Sequence, residues 1–373
     1  MHYDCLVIGL GGMGSSALYH LAKRGLNVCG LERFGPGHTH GSSHGQFRVF
    51  RKAYFEHPDY VPLLQTAELL WRELESETGA SLYQRIGVVL SGREEGEAVA
   101  GTLAAASEHG LPVERVDPKE AQQRWPLLRF PHQDSVVLDP DAGILAVEDC
   151  VTQHLNRATE LGADTYFCEP VRRYEVHLDS VSVTTDKDVR TAATVIFAGG
   201  AWSQSLLSDM LPPLQILRKV QAWHSVGESV RPQLRHLPAF FFETDRGTFY
   251  GMPSGCGEIK LARHSGGVPV TDPSNPNEST TKEEHQACLQ FAAKHLPGIS
   301  AESIRTRDCL YTMSPDGHFV VDHSKDTNRV VFAAGFSGHG FKFASVLGAA
   351  LADLATVGQT ELPMDFLSAR RFC

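Results

Sequence analysis

The 373-residue chain contains no apolar run long enough to span a bilayer, so no membrane segment is expected. It has no basic surplus either: 34 Lys and Arg stand against 44 Asp and Glu, a formal charge of −10. Phosphate-backbone binding needs concentrated cations, which removes nucleic acid from the expected partners. The eight cysteines (Cys5, Cys29, Cys150, Cys168, Cys256, Cys288, Cys309 and Cys373) form no CxxC pair and no metal-ligand spacing. A disulfide scaffold and a metal centre are therefore not expected, and most of the cysteines read as small buried hydrophobes. Met1-His2-Tyr3-Asp4 lacks the pattern of a secretory leader, and Arg371-Phe372-Cys373 is not a peroxisomal address. Repeats and low-complexity tracts are missing too. Together these absences predict a metal-free globular protein of the cytoplasm.

What is present is an ordinary globular composition, 42% hydrophobic and 21% charged, in a chain long enough for two joined domains. Cys5-Leu6-Val7-Ile8 is a continuous apolar run, as a strand buried on both faces requires. A glycine turn over 9–14 follows, then a helix over 15–24 and a second strand over 26–32. Strands and helices keep alternating. Helices are predicted over 62–75, 95–109, 147–161 and 343–357, buried strands over 87–90 and 194–198, and more exposed antiparallel strands over 171–183. The Pro-, Asn-, Ser- and Thr-rich stretch 268–280 reads as a surface loop.

Gly9-Leu10-Gly11-Gly12-Met13-Gly14 is a GxGxxG between a buried strand and a helix. The glycines permit a tight turn, close approach of a pyrophosphate and close helix–strand packing, and the anion rests on the helix N-terminus. Glu32 closes the second strand, where a carboxylate holds ribose hydroxyls. Dinucleotide binding follows; the acid disfavours NADP without separating NAD from FAD. Two further glycine-rich segments stand out. One is 41–54, GSSHGQFRVFRKAY, with Arg48 and Arg51 three apart. The other is 335–342, GFSGHGFK, ahead of an apolar helix and so a second positive helix start. Alone, each also fits a solvated surface loop.

The stretches GLGGMG, GSSHGQFRVFRKAY, YGMPSGCGEIKLARH, CLYTMSPDGHFVVD and GFSGHGFKFASVLG run from the first strand to the last helix. Taken together, they resemble the monomeric sarcosine oxidases, with N-methyltryptophan oxidase, pipecolate oxidase and bacterial fructosyl amino acid oxidases as relatives. The resemblance implies an α/β fold in which a Rossmann-like FAD-binding domain carries a mixed-sheet substrate domain over the flavin. The FAD domain is expected from residues 1–85, 144–217 and 307–373, and the substrate domain from 86–143 and 218–306.

Position by position, the resemblance implies a covalent bond from Cys309 to a flavin methyl carbon, with His44 and Arg48 as basic neighbours of the flavin. Arg51 and Lys342 match the pair that grips a substrate carboxylate, a guanidinium fork beside a point ammonium. Lys260 matches the lysine that activates dioxygen, because a positive charge stabilises superoxide as it forms. Tyr250, Tyr311 and His264 match the cavity lining. For the cofactor, Gly9, Gly11, Gly12, Met13, Gly14, Glu32, Arg33, Ser42, Ser43, Val171, Gly199, Trp202, Gly338, Gly340 and Lys342 join Cys309, His44 and Arg48. Departures fall on the substrate side. The run Ala239-Phe240-Phe241-Phe242 is unusually aromatic, with Phe241 a candidate wall of the cavity, while Ser43 and Gln46 lean towards the pipecolate oxidase branch. The expected activity is oxidation of a small secondary amino acid by a monomer, with dioxygen as acceptor and peroxide as product. A glycated amino acid as substrate, or a dehydrogenase with another acceptor, are the alternatives.

Overall fold

A computed structural model of the chain describes residues 2–255, 257–275 and 282–372. Cys256, Cys373 and the end of the 268–280 loop lie outside them. The first strand, His2–Ile8, pairs in parallel with Val28–Leu31 on one side and Val189–Phe197 on the other. Asp164–Tyr166 and Val330–Ala334 extend this parallel core at its two edges. Cys5 and Val7 point into one apolar cluster and Leu6 and Ile8 into another, so the strand is apolar throughout because both its faces are covered. Antiparallel strands Val171–Val176 and Val181–Thr185 flank this sheet, as does Val320–His323.

The first helix, Gly12–Lys23, starts inside the glycine motif rather than after it. A Cβ at Gly14 would lie 1.7 Å from the Gly9 carbonyl oxygen, so the glycine lets the first helical turn sit directly on the strand end. The same helix crosses the C-terminal helix Ala344–Val357 closely, at Ser16 against Gly348. The helices Tyr60–Thr78 and Val147–Glu160 complete this face. Gly79 and Gly110 end the Tyr60–Thr78 and Glu97–His109 helices in the left-handed conformation.

Among the described residues the second sheet is mixed and has nine strands, with Ile299–Met313 at one edge against Gln215–Val226. Beyond these lie Glu258–Arg263, Gly247–Pro253, Ala239–Thr244, Val88–Gly92, Ser135–Asp139 and Glu114–Val116. Val268–Val270 adds a short strand inside the segment expected to be loop, pairing with Ile216–Arg218. One face of the sheet packs on the Lys282–His295 helix through Phe242, Phe249 and Phe291. Its other face carries Tyr250, Met252 and Ala262 towards Phe47, Val49, Phe55 and Phe241. A three-stranded sheet of Phe47–Phe50, Gly143–Ala146 and Tyr83–Gln84 stands between the two larger ones. The six described cysteines are all free, and all but Cys168 are buried.

Candidate active site

A cleft of ≈ 450 Å³ runs from the glycine turn to Lys342 between the two large sheets. At its first end the helix N-cap is Gly11, which has no side chain to satisfy the leading N–H groups. Ser43 Oγ accepts from Gly12 N at 2.9 Å. Glu32 accepts from Leu10 N (2.8 Å) and Phe34 N (3.0 Å), with His38 Nε2 at 3.4 Å. Burial alone would raise its carboxyl pKa, but the contacts with His38, Leu10 and Phe34 hold it below the usual range. Arg33 and the indole N–H of Trp202 both donate to Ser274 Oγ at 3.0 Å, and Arg33 lies over the indole ring. Val171 and Gly199 line the same end. Helix-terminal N–H groups beside a buried carboxylate are the donors and acceptor that a pyrophosphate and a ribose require, so the residues fit a dinucleotide.

Further along, Arg48 Nη2 lies 3.5 Å from Cys309 Sγ and donates to Ser42 O at 3.0 Å, while Nη1 reaches Gln221 Oε1 at 3.3 Å. Ser42 Oγ donates to Leu310 O at 2.5 Å, tying the 41–45 loop to the strand that carries Cys309. The Arg48 guanidinium thus stands directly beside the buried Cys309 sulfur. Tyr311, two residues on, shares the Cys309 face of that strand, and its hydroxyl is 3.3 Å from His264 Nδ1. Burial drives the His264 pKa down to about 3, so the ring is neutral, and burial raises the Tyr250 and Tyr311 phenols. Phe241 packs against His264 and Phe55 and lines the cleft. Gly338 permits close approach: with φ 81, its Cβ would fall 2.2 Å from the Tyr311 ring. A Cβ at Gly340 would lie 2.6 Å from Phe336.

Arg51 and Lys342, far apart in sequence, converge on Tyr54, whose ring centre is 4.4 Å from the guanidinium carbon and 5.0 Å from the ammonium nitrogen. Lys342 Nζ donates to His339 O (2.7 Å) and Tyr54 Oη (3.3 Å). His339 Nε2 faces Gly317 O at 3.0 Å, so that nitrogen carries the proton, and Nδ1 accepts from Tyr54 Oη at 2.6 Å. Burial, then the charge of Arg51, lowers the Lys342 pKa to about 7. Sequence reasoning missed Glu56, whose carboxylate pairs with Arg51 at 2.6 Å and lines the cleft. Burial works against its charge, yet Arg51, His339 and Lys342 hold its pKa down at about 2. Its one sequence signal is an acid five residues after Arg51, without periodicity. Gln221, Tyr54 and His339 were missed for a different reason: each meets a partner distant in the chain.

Gly14, His44 and Lys260 are not among the residues lining the cleft. Gly14 serves helix packing instead. His44 is buried behind the loop, its Nε2 3.1 Å from Gly41 O, and burial and the charge of Arg48 bring its pKa to about 3. It is therefore a neutral ring rather than the basic neighbour expected. Lys260 is fully buried, and its Nζ donates to Gly45 O (2.6 Å) and Phe47 O (2.9 Å). Burial and Arg48 lower its pKa well below the ordinary lysine value.

A glycine-turn dinucleotide site that opens onto an arginine–cysteine pair and two convergent cations defines a dinucleotide-dependent enzyme. The comparisons agree: residues 4–354 match the family DAO, FAD dependent oxidoreductase, and the chain belongs to it. It is 40% identical to the monomeric sarcosine oxidase of Streptomyces avermitilis, over 99% of this chain and 97% of that one. Identity to the N-methyl-L-tryptophan oxidase of Yersinia pestis is 33%, over the full length of both. The fold superposes on NikD, an amino acid oxidase essential for nikkomycin biosynthesis, in its open form. There the TM-score is 0.87 at 24% identity, covering 98% of this chain and 97% of NikD. The chain is an FAD-dependent oxidase acting on CH–NH donors. No helix among the described residues is long and apolar enough to cross a membrane.

Proposed function

We propose that the protein oxidises the C–N bond of a small secondary amino acid, N-alkylated or cyclic, to an imine, with dioxygen as acceptor and hydrogen peroxide as product. The carrying observation is the convergence of Arg51 and Lys342 over Tyr54, in the same cleft as Cys309 and the glycine turn. Bound FAD would supply the redox chemistry, taking a hydride equivalent from the substrate carbon and passing two electrons on to dioxygen. The segments 1–85, 144–217 and 307–373 would hold it, Gly11 to Met13 at the pyrophosphate, Glu32 at the ribose and Cys309 in a covalent bond.

The chain's own residues bind and orient. Arg51 and Lys342 fix the substrate carboxylate, which sets the amine and its carbons against the Tyr250, Tyr311 and His264 wall. His264 stays neutral there and adds no charge of its own beside the substrate amine. The wall also excludes water until the imine leaves to be hydrolysed. No side chain is required as a strong base if the amine binds deprotonated. Lys260 would supply positive charge behind the loop of 45–47, stabilising the developing superoxide. Phe241 narrows the space for the substrate's side chain.

The test is peroxide release in air by the purified protein on sarcosine, an N-alkyl amino acid, L-pipecolate or L-proline, and a glycated amino acid. A signal with one of the first three supports the reading. Flavin bleaching without peroxide would overturn the acceptor, and turnover of the glycated substrate alone would overturn the substrate class.

A further inference from the structure

The turn that carries Gln46 is tied down far more firmly than a connection between two elements needs. Gln46 has φ 67, a left-handed value seldom held by a residue with a side chain. Its side-chain oxygen accepts from the indole N–H of Trp223 at 2.7 Å and from Arg305 at 3.0 Å, and Arg305 in turn pairs with Glu258 at 2.8 Å. The Gln46 carbonyl accepts from Val147 N at 2.8 Å. Glu148, in the first turn of the Val147–Glu160 helix, accepts from Gly45 N at 2.7 Å and from Gln46 N at 3.0 Å. The carbonyls on either side, Gly45 O and Phe47 O, are those that hold Lys260.

Gly45 O and Gln46 N belong to one peptide unit. A carboxylate, a peptide group and an ammonium therefore stand in line, Glu148 on the N–H and Lys260 on the C=O. Each hydrogen bond polarises the next, so the glutamate's charge strengthens the acceptor that the lysine meets. Lys260 forms no ion pair among the described residues, and a buried ammonium held only by neutral carbonyls depends on how they point. On its other side the ammonium is 5.4 Å from the centre of the Trp223 ring, and Arg305 lies 4.7 Å from that same ring.

We propose that Glu148 and Gln46 are positioning residues for Lys260, holding the 45–47 turn so that the buried ammonium keeps its proton and its place for the reaction with dioxygen. This rests on the dioxygen role proposed above for Lys260. The test compares Glu148→Gln, Gln46→Gly and Lys260→Met with the unaltered holoenzyme. Three quantities are followed: anaerobic flavin reduction by sarcosine or L-pipecolate, reoxidation of photoreduced flavin by dioxygen, and the Lys260 side-chain resonance in ¹⁵N NMR, assigned by its loss in Lys260→Met.

Glu148→Gln slows reoxidation about tenfold, the scale on which outer partners of a functional group act, leaves reduction within about twofold, and shifts the Lys260 resonance. Gln46→Gly keeps the backbone and removes only the Trp223 and Arg305 anchors, so it acts in the same direction by a smaller factor. Unchanged reoxidation and an unmoved resonance in both variants, with Lys260→Met slow, overturn the positioning role and leave the Lys260 reading intact. A Lys260→Met protein that reoxidises normally overturns both. A matched fall of the two half-reactions in both positioning variants marks a general structural role and overturns the proposal.

Discussion

Glu56 occupies the guanidinium proposed above for the substrate carboxylate, and replacing it with glutamine separates two effects of one ion pair. The fall of its pKa from the ordinary 4.5 to about 2 corresponds to about 3 kcal/mol of preference for the charged, paired form. The carboxyl is depressed, so this stability is fully present above about pH 4.5 and is lost as the pH falls through about 2. At pH 7, Glu56→Gln should therefore destabilise the ligand-free protein, by up to about 3 kcal/mol, less whatever the amide recovers by hydrogen bonding to Arg51. Binding moves the other way. Either Glu56 swings out and surrenders its pairing, or it stays and repels the incoming carboxylate. Both cost affinity, and the variant removes both. We expect a gain of about 1–2 kcal/mol, a Kd for a simple carboxylate such as 2-furoate roughly tenfold lower. The assay is titration of the flavin absorbance with 2-furoate at pH 7, alongside a urea melt of the ligand-free protein. Equal or weaker binding by Glu56→Gln would refute the competition argument, whatever the melt gives.

Three other outcomes follow from the geometry. Lys342, with a pKa near 7 before ligand binds, should make carboxylate affinity decline as the pH rises above about 7, and Lys342→Met should flatten that decline in the same titration. Acid precipitation of the unaltered protein should carry the flavin fluorescence into the pellet, whereas Cys309→Ser should leave it in the supernatant; free flavin in both would refute the covalent link. Gly338→Ala would place a Cβ 2.2 Å from Tyr311 at φ 81. It should cost about 1–3 kcal/mol in chemical denaturation and raise KM more than it lowers kcat, because the displaced wall faces the substrate.

The apolar run 5–8 and the glycine turn were legible because local physics dictates them: a strand covered on both faces needs apolar residues throughout, and a pyrophosphate turn needs residues without Cβ. The helix start was misjudged by three residues, because a GxGxxG helix begins among the glycines themselves, at Gly12. Val268–Val270 became a strand in a segment of loop composition because Ile216–Arg218 offered it an open edge. His44 was read as basic from the family resemblance; its charge depends first on burial, which no local pattern encodes, and then on Arg48.

Sequence by itself determined the class of cofactor site and the identity of the groups available for chemistry, since turn geometry and residue type are local properties. Tertiary structure decided which of those groups meet. It brought residues 51, 54, 56, 339 and 342 to one end of the cleft and left Lys260 behind the 45–47 turn. Charge state, pairing and competition for a single guanidinium depend on through-space distance and desolvation, and a linear sequence encodes neither directly.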